Sequence, residues 1–367
     1  MLKGILIGGG ITLALVLGFL PGGISRAKPA WWRWLTMAAL MATVIAAFGL
    51  PTGGDFPSFT TVTMSRNDEV PQPLYGTIVE KPTDGMVVLE DSRGNREPID
   101  VSTVPEKLAA GERVILSTSF LRGERRYVAR RLVSRDPIAT LPLIPGLEER
   151  ARNLYFHVPS AWLSQLAWFM AFGFAILYLR RRRPEDDVRA VAAAALGAIF
   201  CILATVTGAV WAKFNWGAFW NWDPRQTSIF LVLVIYGAYF ALRSALPNED
   251  QRARVSSVYL ILLALPVLFF IFVLPRLVTG LHPGAADSGN IGPVLSPEED
   301  TLNPTKQILF ALSMFSFTML FFWMLNVRIR TGLVELRRRR RMAGSAENNA
   351  MHENVVTAIG SDVVRLP

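Results

Sequence analysis

The sequence predicts an all-α polytopic membrane protein of about seven transmembrane helices, interrupted by a small inserted β-barrel domain of OB-like type outside the membrane. Three observations carry that expectation. Of the 367 residues 51% are hydrophobic and 18% charged, against about 25% charged in soluble domains, and the mean hydropathy is +0.33. Stretches free of Asp, Glu, Lys and Arg recur at lengths near the roughly 20 residues that a bilayer core of about 30 Å requires. Residues 55–140 break that pattern, with charges of both signs and turn signals at short intervals.

In order, the apolar stretches are Gly4–Ser25, Trp34–Gly54, Asn153–Leu179, Ala190–Ala212, Gln226–Leu242, Val255–Pro275 and Gln307–Val327. Gln226–Leu242 is at the short limit, and Asn153–Leu179 includes interfacial chain ahead of its helix. Basic residues follow the first, third, fifth and seventh stretches: Arg26, Lys28 and Arg33; Arg180 to Arg183 with Arg189; Arg243, Arg252 and Arg254; and Arg328, Arg330 and Arg337 to Arg341. Short cytoplasmic loops collect Lys and Arg, so the N-terminus is expected outside, the C-terminus inside, and the outer segments at about 55–152, 213–225 and 276–306. A cleaved signal peptide is the other reading of the first stretch. Its basic n-region is Lys3 alone, however, and cleavage would leave Arg26, Lys28 and Arg33 outside against the charge rule. The expected divisions are two N-terminal spans over 1–54, an extracytoplasmic domain over 55–140, a five-helix membrane core over 150–330 and a basic, disordered cytoplasmic tail over 331–367.

Within the insert, Asp84-Gly85, Arg93-Gly94-Asn95, Gly111-Glu112 and Arg122-Gly123-Glu124 separate β-rich runs at Tyr75–Glu80, Met86–Asp91, Glu97–Val101, Arg113–Thr118 and Arg126–Val133. Five short strands suit a closed OB-type barrel, with a generic sandwich or hairpin cap as the alternative. The charges of the insert are balanced and it is expected outside the membrane, so no nucleic-acid partner is expected. The formal net charge of +9 comes from 38 basic against 29 acidic residues, which excludes a simple polybasic binder. The Arg337 to Arg341 run reads as an anchor to anionic membrane lipid. A single cysteine, Cys201, excludes internal disulfides and CxxC or CxxCH sites.

Two of the three histidines, His157 and His282, border spans of opposite parity and therefore fall on one side of the membrane, whatever its absolute orientation. On that side runs Trp211-Ala212-Lys213-Phe214-Asn215-Trp216-Gly217-Ala218-Phe219-Trp220-Asn221-Trp222-Asp223-Pro224-Arg225, with four of the ten tryptophans. An interfacial aromatic belt accounts for dispersed residues such as Trp31, Trp32, Trp34 and Trp323. A cluster confined to one loop beside Asp223 and Arg225 instead suits a flat, apolar, anionic ligand, the shape of a tetrapyrrole. Haem iron takes axial imidazoles on opposite faces, which histidines from two separate segments can supply. Aromatic rings cover a macrocycle by stacking, and an arginine pairs with a propionate. His352, in the tail, has no assigned role.

The Trp211–Ser228 run resembles the tryptophan-rich WWD signature of haem-handling proteins. With His157-Val158-Pro159-Ser160-Ala161-Trp162 and Leu281-His282-Pro283-Gly284 in that order, the chain most resembles the CcmC family of haem exporter C proteins of cytochrome c maturation, over about 30–50 and 150–330. The resemblance implies haem b (iron protoporphyrin IX) held by His157 and His282 as axial ligands. Trp216, Phe219, Trp220 and Trp222 with Asp223 and Arg225 would line the platform. It also implies a multi-pass protein of the bacterial inner membrane with its haem site on the periplasmic face, delivering haem to a CcmE-like haem chaperone alongside ABC transporter subunits of the same system. Phe219 stands where the family usually has tryptophan, and Leu277-Val278-Thr279 where a tryptophan pair often precedes the second histidine. The first span and the insert are additions. The insert weakly resembles the barrel of the chaperone but lacks its histidine, which favours a docking or lid domain. A transfer protein without turnover of its own is expected. The rivals are a CcsA-type cytochrome c synthase, which usually adds histidines within its spans, and a polytopic transport protein without haem. No GxxxxGK[ST] loop is present, so ATP energy would come from a partner.

Overall fold

In the computed structural model, residues 2–65, 70–80, 83–144, 147–282 and 304–363 are described. Pro283 and Gly284, and the side chain of His352, lie outside the described residues. Six helices there are long and apolar enough to cross a membrane: Ala30–Gly49, Glu149–Arg181, Pro184–Trp216, Pro224–Ala245, Glu249–Leu277 and Thr305–Ser345. A shorter apolar helix, Gly4–Phe19, stands in place of the first expected span.

That first helix, α1 (Leu2–Phe19), runs along the last, α10 (Pro304–Val363). Their approach is close because Gly18 lacks a side chain; a Cβ there would sit 2.2 Å from the Phe322 ring. Beyond α1, Lys28 Nζ donates to the Gly18 carbonyl at 2.6 Å and Trp32 Nε1 donates to the Leu17 carbonyl at 2.7 Å. Carbonyls of the last helical turn, which have no partner within the helix, are thereby satisfied. α2 (Ala30–Gly49) leads into the insert.

In the insert, β2 (Gln72–Ile78), β3 (Met86–Glu90), β4 (Arg96–Asp100), β5 (Arg113–Leu121) and β6 (Arg126–Arg135) close a barrel in the order β2-β3-β4-β6-β5. The strands therefore follow the runs expected from sequence, and β2 alternates buried and half-buried residues with the period of two that a barrel wall requires. One element was not expected. Helix α3 (Phe56–Ser65) inserts Phe56 and Phe59 into the barrel core beside Leu74, Leu89 and Ile99. β1 (Thr52–Gly53) pairs in parallel with β7 (Leu141–Pro142), so the two ends of the insert are joined where they meet the membrane helices. Arg152 fastens the same junction, donating to the Ala47 carbonyl at 2.6 Å and to Thr52 Oγ1 at 3.1 Å.

The membrane core is built on α4 (Leu154–Arg181) and α5 (Pro184–Trp216). Buried alanines on both helices, among them Ala167, Ala171, Ala175, Ala190, Ala193 and Ala194, let the backbones approach, as small residues do where lipid removes the hydrophobic drive. Arg182 in left-handed conformation and Pro184 at the start of α5 turn the chain between them. α6 (Pro224–Ala245) follows. The next span is broken into α7 (Glu249–Leu262), α8 (Ala264–Leu268), a π-helical segment Phe269–Val273 and α9 (Leu274–Leu277). Pro266 and Pro275, which lack the N–H that continues the ladder, lie at these breaks. α10 continues through the arginine run to Val363, a stretch for which composition predicts disorder. Ala343, Ala346, Glu347, Ala350 and Met351 favour helix there, and proline is absent before Pro367.

Candidate functional site

Expected just before its span, His157 lies instead in the first turn of α4, which follows a 3-10 turn at Glu148–Asn153 without interfacial coil. Pro159 forms part of the same helix although it cannot donate to the carbonyl of Tyr155, four residues back. The hydroxyl of Ser313 on α10 donates to that carbonyl instead, which explains how the helix survives the proline.

His157 packs against α5 at Gly208, where a Cβ would fall 2.9 Å from its Cε1. Its Nδ1 lies 3.1 Å from Thr207 Oγ1. That hydroxyl already donates to the Leu203 carbonyl at 2.7 Å, so it accepts from His157, and Nδ1 carries the proton. The lone pair is left on Nε2. Asn153 steadies the pair, donating through Nδ2 to the Thr207 carbonyl at 2.9 Å.

The tryptophan-rich run is shorter as a loop than the sequence suggests. Trp211 to Trp216 complete α5, which at 33 residues is about 50 Å long and exceeds the bilayer core. Gly217, at φ 85°, ends it. The loop proper is Gly217–Asp223. Asn221 holds it, donating its N–H to Gln226 Oε1 at 2.7 Å and its Nδ2 to the Ala218 carbonyl at 3.1 Å. Trp222 is held at φ 54° and is 69% exposed, with Phe219 57% exposed. Trp220 stands at right angles to Trp222, ring centroids 5.8 Å apart, while Lys213 Nζ lies 5.7 Å over the Phe219 ring.

His282 joins this loop from the far end of the broken span. Its ring meets Trp216 edge to face, centroids 6.3 Å apart. With His157 at Gly208 and His282 at Trp216, the two imidazoles expected on one side of the membrane lie along the last turns of α5. Asp223 is 4% exposed and its carboxylate serves two segments of backbone: Oδ1 accepts from the N–H of Arg225 at 2.9 Å, capping α6, and Oδ2 accepts from the N–H of Leu281 at 2.7 Å. The Nε of Arg225 is buried without an acceptor among the described residues. Arg276, on α9, lies within electrostatic range of it. Sequence reasoning passed over Thr207, Gly208, Gly280 and Arg276. The first three carry no chemical signal by themselves, but an arginine facing outward at a span end goes against the charge rule and could have drawn notice.

Fold and site together define a multi-pass membrane protein that carries two imidazoles, two arginines and an exposed aromatic shelf at the end of the helix bundle bearing the barrel. The family model for "CcmC: Heme exporter protein C" matches residues 147–344, more than half of the chain, and the chain belongs to that family. The heme exporter protein C of Paracoccus denitrificans is 33% identical over 196 residues, covering 53% of this chain and 77% of the relative. That of Rhodobacter capsulatus is 34% identical over 206 residues, with coverages of 54% and 78%. That of Escherichia coli K12 is 27% identical over 190 residues, with coverages of 52% and 73%. The family match begins after the barrel, so α1, α2 and the insert are outside it.

Proposed function

We propose that this protein binds haem as cargo at the periplasmic face of the bacterial inner membrane and hands it to a CcmE-like haem chaperone during c-type cytochrome biogenesis. His157 and His282 are the axial ligands in this reading. Trp216, Phe219, Trp220 and Trp222 cover the macrocycle, Arg225 with Arg276 receives the propionates, and Asp223 organises the loops. ABC transporter subunits of the maturation system supply the ATP-driven step. The observation that carries the reading is that His157, in the first turn of α4, packs at Gly208 of α5, while His282, beyond the end of the broken span, meets Trp216 at the end of the same helix. Family membership supports the cargo. The buried guanidinium nitrogen of Arg225 lacking an acceptor fits a carboxylate that arrives with a ligand, and the exposed faces of Trp222 and Phe219 fit a flat apolar one.

The chain's own groups would act in sequence. Thr207 holds the proton on Nδ1 of His157, so Nε2 is presented to a metal in its basic form. The shelf, open to one side, excludes water from one face of the macrocycle while leaving an edge free for an acceptor protein. The synthase rival differs in one product, a covalent thioether. Haem-loaded protein is incubated with a reduced CxxCH apocytochrome peptide, with and without a haem chaperone. Haem passing to the chaperone with no peptide adduct surviving acid–acetone extraction supports the transfer reading; an adduct formed without the chaperone overturns it.

A further inference from the structure

Asp223 is buried, and its two carboxylate oxygens serve two different segments. Oδ1 caps α6 through the Arg225 N–H, while Oδ2 accepts the N–H of Leu281 at 2.7 Å and of His282 at 3.3 Å. Gly280 permits the approach: a Cβ there would sit 2.8 Å from Oδ2 and 3.1 Å from Cδ of Pro224. The span leading to His282 loses regular helix at Leu263, with ψ 0°, passes through the π-helical Phe269–Val273 and turns extended at Val278. π-Segments and prolines are where helices bend. His157, by contrast, lies in continuous helix against Gly208 of α5.

We propose that Asp223 is a positioning residue whose carboxylate latches the His282 segment to the start of α6, making His282 the exchangeable partner of the imidazole pair and His157 the fixed one. The proposal rests on the haem reading. When the latch opens, the backbone at 281–282 leaves the loop with its broken span, the bond from the His282 imidazole is the one lost, and the cargo remains on His157 until an acceptor takes it. Charge-assisted hydrogen bonds to a carboxylate are roughly twice as strong as neutral ones, so one side chain suffices to set this balance.

Two variants test it from opposite sides. In Asp223→Asn the amide oxygen still caps α6, since Asn is as good an N-cap as Asp, but an NH2 group then faces the two N–H donors. Gly280→Ala crowds the latch from the other segment, against Oδ2 of Asp223 and the Pro224 ring, and leaves the Asp223 carboxylate itself in place. Hydrogen–deuterium exchange on the haem-free full-length protein in detergent is expected to quicken about tenfold over 274–282 in both variants, with 154–160 unchanged and the melting temperature retained. After haem loading, both are expected to shift from six-coordinate low-spin toward five-coordinate high-spin spectra and to lose haem to apomyoglobin about tenfold faster. Wild-type exchange and wild-type spectra in both haem-binding variants overturn the latch alone. Failure of the wild-type protein to take up haem overturns the haem reading, and with it the assignment of His282 as the ligand that leaves.

Discussion

Thr207 decides which nitrogen of His157 faces a ligand, because its hydroxyl proton is committed to the Leu203 carbonyl. Thr207→Val removes the acceptor and keeps the shape. It is expected to weaken haem retention by roughly 0.5–1.5 kcal/mol and to broaden the ferric electron paramagnetic resonance signal as the ring loses its fixed orientation, both read in a haem titration. At the shelf, Trp222→Ala is expected to lower haem affinity by roughly 1–3 kcal/mol of lost burial while leaving thermal stability unchanged, since the ring is 69% exposed without a ligand. The histidines and tryptophans were legible in the sequence because they are rare side chains at span boundaries. Thr207 was not, since it sits within an apolar run and its partner is 50 residues away, a pairing that the packing register of α4 and α5 alone determines.

The elements show the same division. Apolar length and turn punctuation located the membrane helices and all five barrel strands, because each depends on local composition. Helix α3 escaped notice because its sequence, Phe56–Ser65, is rich in Thr and Ser and has a proline; it is helical by virtue of its docking. Asp55 Oδ1 accepts from the Ser58 N–H at 2.8 Å, and Asp91 Oδ2 accepts from the Phe56 N–H at 2.9 Å. Burial pushes both carboxyls up, but hydrogen bonds, from Ser58 and Arg93 in one case and from Asn95, Phe56 and Arg93 in the other, outweigh it and hold them below the usual range. A depressed folded value means that this stabilisation is present above the unfolded value near 3.9 and lost as pH falls through the lower folded values. Thermal melting of the full protein in detergent is expected to show that loss below about pH 4. Asp91→Asn should lower the plateau at neutral pH by about 1–2 kcal/mol and flatten the acid limb; an unchanged acid limb would detach Asp91 from the docking of α3.

Across the whole molecule, the face opposite the barrel is tied by arginines. Arg243 of α6 grips Asp187 of α5 with two bonds of 2.8 and 2.9 Å, and Arg340 of α10 reaches Glu185 at 3.0 Å. The first pair is 13% and 16% exposed, the second 53% and 35%. Solvent screening leaves an exposed pair worth little, while breaking a buried one strands a charge, so Asp187→Ala is expected to lower the melting temperature clearly and Glu185→Ala hardly at all. Charge parity along the sequence anticipated that these arginines share a side. It also brought His157 and His282 to one face, but seating both along α5 needed that helix to run on to Trp216 and Asp223 to hold the chain at Leu281 and His282. If both imidazoles serve one iron, the electron paramagnetic resonance spectrum of the purified, ferric haem-loaded protein reports it. A low-spin bis-imidazole signal that is lost in His157→Ala and in His282→Ala alike is the predicted result; a wild-type signal persisting in the double variant would contradict it.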